Sequence, residues 1–240
     1  MHTPIEELDY HHTPLGELIL RRRRALSGAE VFEVKLDDRF LMSSLVNTAE
    51  IALARLALAH LEHQELDVVV GGLGLGYTAR AALAHTGVRS VLVIEYLAEV
   101  IAWHHGGLVP LGRTLTDDPR FRMINEDFFK RLEAPGRALD PQTPGRCFHA
   151  ILLDIDHSPR SLLHPRHGFL YEPAGLRRLA GNLLPGGVFG LWSADPPDDD
   201  FREALGRVFA SVRAHSVEFY NPLLYCDDVN TVYVARKAEA

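Results

Sequence analysis

The sequence predicts a single open α/β sheet preceded by a small β-meander, on three observations. From residue 66 onward, apolar runs of strand length alternate with helix-patterned stretches, which implies parallel strands joined by right-handed crossovers. The run Gly71-Gly72-Leu73-Gly74-Leu75-Gly76 follows the first of these strands directly and opens a helix. An acidic residue, Glu95, ends the next strand, 19 residues beyond Gly76. The chain divides into a meander over 1–45 and a Rossmann-like sheet domain over 46–240.

In the meander, Leu18-Ile19-Leu20, Val31-Phe32-Glu33-Val34-Lys35-Leu36 and Phe40-Leu41-Met42 read as short strands, parted by turns at Ser27-Gly28 and Asp37-Asp38. The run Arg21-Arg22-Arg23-Arg24 reads as the charged end of a strand that solubilises an exposed edge. Asn47-Thr48-Ala49-Glu50 has the spacing of a capping box, and the Ala- and Leu-rich stretch to His63 carries no breaker. Residues 66–70 form a continuous apolar run, as expected of a strand covered on both faces. Helix 77–85 stops at Gly87. Strand 90–94, helix 97–105 and strands 121–124 and 148–153 follow. Helix 175–183, strand 187–192, helix 201–212 and closing strands 216–220 and 231–235 complete the series. The Pro- and Gly-rich stretch 134–146 reads as a surface loop within the domain, because apolar strands continue on both sides of it.

Composition narrows the function. With 47% hydrophobic and 24% charged residues in 240, the chain is an ordinary globular one. No apolar run approaches the roughly 20 residues that span a bilayer, so no membrane is expected. The acidic N-terminus lacks the basic-then-apolar pattern of a secretion signal, and two cysteines make no disulfide framework; both suit the cytoplasm. A net charge of −7 argues against nucleic acid as the partner. The meander buries too little to stand alone, so it is expected to pack over the crevice or against a second subunit, in a homodimer.

Glycine is needed where a chain turns sharply and a ligand approaches its backbone, and an acid at the end of the next strand can accept from ribose hydroxyls. Gly72, Gly74, Gly76 and Glu95 together therefore point to nucleoside binding. Asp127, after the third strand, suits either an adenine amino group or the N-cap of the helix from Phe128. Asp154-Ile155-Asp156-His157 falls at the end of the fourth strand, where carboxylates can hold and deprotonate an amine. The loop 158–170, with two prolines and a glycine, reads as a mobile lid, and its histidines lack the spacing of a metal site. His104-His105 reads as a helix-end complement to the dipole, and Trp192 as a strand-end side chain within reach of the pocket. Asp195-Pro196-Pro197 resembles the acidic-Pro-Pro motif of amino-group methyltransferases, but it follows the fifth strand, where it reads as a turn.

These residues, with Leu184-Pro185-Gly186-Gly187-Val188 before the fifth strand, resemble the spermidine synthase-like (polyamine aminopropyltransferase) family on the class I methyltransferase fold, a seven-stranded, mostly parallel sheet. The resemblance implies a nucleoside half of the site at Gly72, Gly74, Gly76, Thr78, Glu95 and Asp127. It implies a catalytic acid at Asp154, with Asp156 and His157 beside it, and Tyr171 near the gate. It implies S-adenosylmethionine (AdoMet), decarboxylated AdoMet or the product methylthioadenosine as the bound nucleoside, and aminopropyl or methyl transfer to a small acceptor, possibly an amine. The chain departs from the family at Leu75, where an aspartate stands, at His157, and at Ala54-Arg55-Leu56, where Tyr, His and Glu reach the amine. The departures imply poor use of putrescine, unless Glu50, Glu99 or Glu172 restores a carboxylate. They also keep two other readings open, a small-molecule methyltransferase and a catalytically silent nucleoside-binding scaffold.

Overall fold

In the computed structural model, residues 5–25, 28–61, 65–134, 138–222 and 225–239 are described. Ser27 of the predicted turn, His63 at the end of the predicted helical stretch and residues 135–137 of the predicted loop lie outside them.

The N-terminal sheet has four antiparallel strands, not three: β1 (Ile5–Thr13), β2 (Gly16–Arg24), β3 (Glu30–Leu36) and β4 (Arg39–Ser43), in that spatial order. β1 was not legible because its sequence, IEELDYHHT, is mostly polar and carries no period-2 apolar pattern; β2 pairs along its length and makes it a strand. The arginine run consequently does not guard an edge, since β2 lies between β1 and β3. Arg21 and Arg23 each donate Nε to Glu33, at 2.7 and 2.6 Å, and Arg22 meets Glu6 and Glu30. The Glu33 side chain is only 2% exposed, so both guanidinium partners are needed to keep its charge inside the sheet. Glu33→Gln is expected to lower stability by about 1–3 kcal/mol, because a buried charge network loses its centre. Urea unfolding measures it, and an unchanged midpoint would show the network to be a surface ornament.

On the other face of the meander, Leu18, Leu20, Val34 and Leu36 join one packed cluster with Val68, Val70 and Leu73 of the main domain. Trp103 Nε1 donates to Asp9 Oδ2 at 2.6 Å, tying β1 to the domain as well.

The second sheet has seven strands in the order β10-β11-β9-β8-β5-β6-β7. β5 (Leu66–Gly71) is buried throughout and runs parallel to β6 (Val88–Glu95) and β8 (Phe148–Leu153). β7 (Phe121–Asn125) and β9 (Leu183–Ser193) extend the parallel part. The hairpin of β10 (Ser211–Asn221) and β11 (Cys226–Arg236) adds the antiparallel edge. This is the predicted architecture. Helices α1 (Thr48–Leu58), α2 (Tyr77–Leu83), α3 (Ala98–Gly106) and α4 (Gly112–Thr116) place apolar side chains in the cluster that includes the meander. Those of α5 (Phe128–Glu133), α6 (Pro173–Ala180) and α7 (Asp199–Gly206) belong to a second cluster around Ile151 and Phe189. All parallel strands end on one side, so the glycine run, Glu95, Asp127 and Asp154 reach a common crevice.

The capping box is not formed. Asn47 Nδ2 donates back to Ser44 O at 3.3 Å, and no side chain caps α1. Glu50 is thereby left for the crevice.

Candidate functional site

Two cavities share a wall at the ends of β5 and β8. The first, about 230 Å³, lies between the glycine run, Glu95, Asp127 and Asp154 and is roofed by Pro14, Leu15 and Met42 of the meander. The second, about 320 Å³, is lined by Glu50, Leu75, Gly76, Asp154, His157 and Trp192, with Asp228 and Asn230 from the β10–β11 hairpin. Asp154, Gly74 and Ile155 border both.

The glycine run is shaped by close contacts. Gly72 has φ 89°, and a Cβ there would meet Asp154 O at 2.2 Å, so the ends of β5 and β8 approach only because the side chain is missing. Gly74, φ 50°, has Met42 of the meander against it. Its carbonyl accepts from His104 Nε2 at 2.9 Å. His104 is fully buried, and burial pushes its pKa down, so it braces the glycine run as a neutral ring instead of complementing a helix dipole.

Glu95 Oε2 accepts from Leu73 N and Oε1 from Leu97 N, both at 2.8 Å. Burial raises its pKa against the pull of these amides and of the Tyr96 and Gly74 amides, so the carboxylate is held by backbone at the cavity wall. Asp127 caps α5, its Oδ1 accepting from Lys130 N at 3.0 Å, while its Oδ2 is paired with Arg166.

Asp154 is the centre of the arrangement. Thr78 Oγ1 donates to its Oδ2 at 2.6 Å, and burial pushes its pKa up to about 6 against that bond. Glu50, on the neighbouring α1, is pushed up to about 8, first by burial and then by the charge of Asp154. The two acids therefore hold one proton between them near neutrality.

Three predicted site residues border neither cavity. Thr78 touches Asp154 from behind, so its place is to orient the acid. Asp156, 2% exposed, is consumed by Leu163 N, His167 Nδ1 and Tyr171 OH at 2.7, 2.8 and 2.9 Å. Tyr171 is buried on that carboxylate, its phenol pushed well up by burial and by the negative charge. These contacts also give the segment 158–170, expected as a mobile lid, a local structure of its own at the wall of the first cavity. Ser158 and Ser161 pair their backbones, and Pro165–Tyr171 is a 3₁₀ helix whose His167 stacks on Phe129 at 3.7 Å. His157 and Trp192 do face the second cavity, and burial lowers the His157 pKa, followed by the charge of Arg39. The turn Asp195-Pro196-Pro197 borders neither cavity.

The resemblance set the amine-side helix at Ala54-Arg55-Leu56; the structure buries Ala54 in the core and supplies an acid from Glu50, one turn earlier on the same helix. Of the three acids that the sequence offered to restore a carboxylate there, Glu50, Glu99 and Glu172, only Glu50 lines the second cavity. Asp228 gave none, being one acid among several in a hairpin. Among the described residues no cluster of three or more His, Cys, Asp or Glu is placed to hold a metal ion, and no helix is long and apolar enough to cross a membrane.

No family model matches the chain. It is 28% identical over 240 aligned residues to polyamine aminopropyltransferase 2 of Pseudomonas aeruginosa, covering 88% of this chain and 60% of the relative. It is 27% identical over 122 residues to polyamine aminopropyltransferase of Pyrobaculum islandicum, covering 51% and 39%. The chain thus spans less than two thirds of the length of either relative. Among solved structures, a spermidine synthase in complex with the transition-state analogue AdoDATO superposes with a TM-score of 0.74 at 19% identity, over 98% of this chain and 75% of that one. In sequence and in fold, the chain is spermidine synthase-like.

Proposed function

We propose that the chain is an alkyl transferase whose first cavity takes the nucleoside of an adenosyl sulfonium and whose second takes a small amine. One observation carries this reading: the two cavities meet at Asp154, a buried acid oriented by Thr78. The residues fit such a donor, since the glycine run leaves backbone free of side chains, and the backbone-held Glu95 carboxylate lies at the cavity wall. When bound, the donor supplies a carbon on a positively charged sulfur, and as the amine nitrogen bonds to that carbon the C–S electron pair returns to sulfur. The chain's own work is positioning and proton handling. Asp154 accepts a proton from the incoming ammonium and so frees its lone pair. Glu50, giving up its own proton when a cation arrives, offers the second carboxylate that a buried ammonium requires.

Aminopropyl transfer from decarboxylated AdoMet is the favoured form, because the second cavity is lined by Glu50, Asp154 and Asp228 and, among the described residues, by no lysine or arginine. Glu50 and Asp228 offer carboxylates on the amine side, while Leu75 and His157, on which the expectation of poor use of putrescine rests, line the same cavity; a panel of amines decides between them. Calorimetry with AdoMet, decarboxylated AdoMet and methylthioadenosine tests the reading. The last two are expected to bind, and purified protein with decarboxylated AdoMet and a panel of amines to yield aminopropylated product by mass spectrometry. Binding of AdoMet alone would convert the reading to methyl transfer, and binding of none of the three would leave a scaffold.

A further inference from the structure

Each carboxylate oxygen of Asp127 has a protein partner. Oδ1 caps α5 through Lys130 N, which leaves Oδ2 as the oxygen available to a base amino group, and Oδ2 is paired with the Arg166 guanidinium. Among the described residues, Arg166 is the one lysine or arginine on the wall of the first cavity, alongside Asp127 itself. Its side chain is 40% exposed while that of Asp127 is 9% exposed, so the guanidinium reaches in from the solvent side over a largely buried acid. The backbone that carries it is fixed on either side. Asp156 holds Leu163 N and His167 Nδ1, and the His167 ring lies flat on Phe129.

From this geometry we infer that Arg166 is an internal competitor for Asp127 and sets the affinity of the nucleoside cavity. The inference rests on the reading of that cavity as the nucleoside site. The guanidinium neutralises a buried carboxylate that would otherwise be costly to leave unpaired. The guanidinium lies on Oδ2 at the wall of the same cavity, so a base amino group that approaches this oxygen competes with it for the position. Because the flanking backbone is pinned, the exchange is a swing of the Arg166 side chain toward solvent, with the 3₁₀ helix staying in place. Arginine suits this role, since its fork can hold the acid without a second partner and its charge stays hydrated once released.

The test compares Arg166→Met, Arg166→Lys and Asp127→Asn by calorimetry with methylthioadenosine. Arg166→Met is expected to bind about 3–10-fold more tightly than the unsubstituted protein, the range of a partly exposed ion pair, with Arg166→Lys between them. Hydrogen exchange of the 158–166 backbone in the empty protein should change little in Arg166→Met, since Asp156 holds that segment. Equal or weaker binding by Arg166→Met, with Asp127→Asn weakened, overturns the competition and spares the nucleoside reading. Unchanged binding in Asp127→Asn, or no binding by any of the four proteins, overturns the base-site reading and this inference with it.

Discussion

Asp154→Asn is expected to reduce aminopropyl transfer by about 10²–10⁴-fold, the usual contribution of a positioned general base. The substitution keeps the size of the side chain and leaves Thr78 Oγ1 a carbonyl to bond, so the glycine run and the first cavity keep their shape. What disappears is what the amide cannot copy, the carboxylate's charge and its ability to accept a proton. Affinity for methylthioadenosine should therefore persist while turnover falls, and calorimetry beside product detection by mass spectrometry separates the two. Turnover close to that of the unsubstituted protein would move the base elsewhere, with Glu50 the nearest candidate.

Glu50→Gln should make the protein more stable, with a gain that grows as pH rises. The pKa of Glu50 goes from an ordinary 4.5 to about 8 on folding, and that of Asp154 from 3.8 to about 6. Both folded values lie above the unfolded ones. Between the two sets of values the folded chain holds more protons than the unfolded chain, so the pair's stability is present at low pH and declines as pH rises through that window. Glutamine resembles the protonated acid and does not titrate, which removes the larger part of the decline. Thermal unfolding of both proteins from about pH 5 to about pH 8 reads the difference. The same substitution should raise KM for the amine more than it lowers kcat, because it removes a partner for the ammonium and leaves Asp154 in place. A stability difference that does not vary with pH would show that the two acids do not share an environment.

Those two acids also mark the boundary between what the sequence determined and what only the tertiary structure decided. Strand ends, glycine runs and parallel crossovers are local or nearly periodic features, so the sheet, the crevice and the places of Gly72, Gly74, Glu95, Asp127 and Asp154 at its rim could be read from residue order. The burial of Asp156 could not, because Asp154 and Asp156 are equivalent in sequence. Only the return of His167 and Tyr171 from the 3₁₀ helix turns one of them inward. Nor could β1, whose polar residues become a strand through pairing with β2, or the role of the arginines, which depends on Glu33 lying opposite them. Glu50 looked like a cap because capping is a four-residue pattern, whereas its nearness to Asp154 arises from the packing of α1 against the sheet over about a hundred residues of separation. Backbone propensity and period act over a few residues and leave their trace in the sequence. The direction in which a polar side chain faces is set by distant donors and by the cost of leaving a buried charge unpaired, and these exist only once the chain has folded.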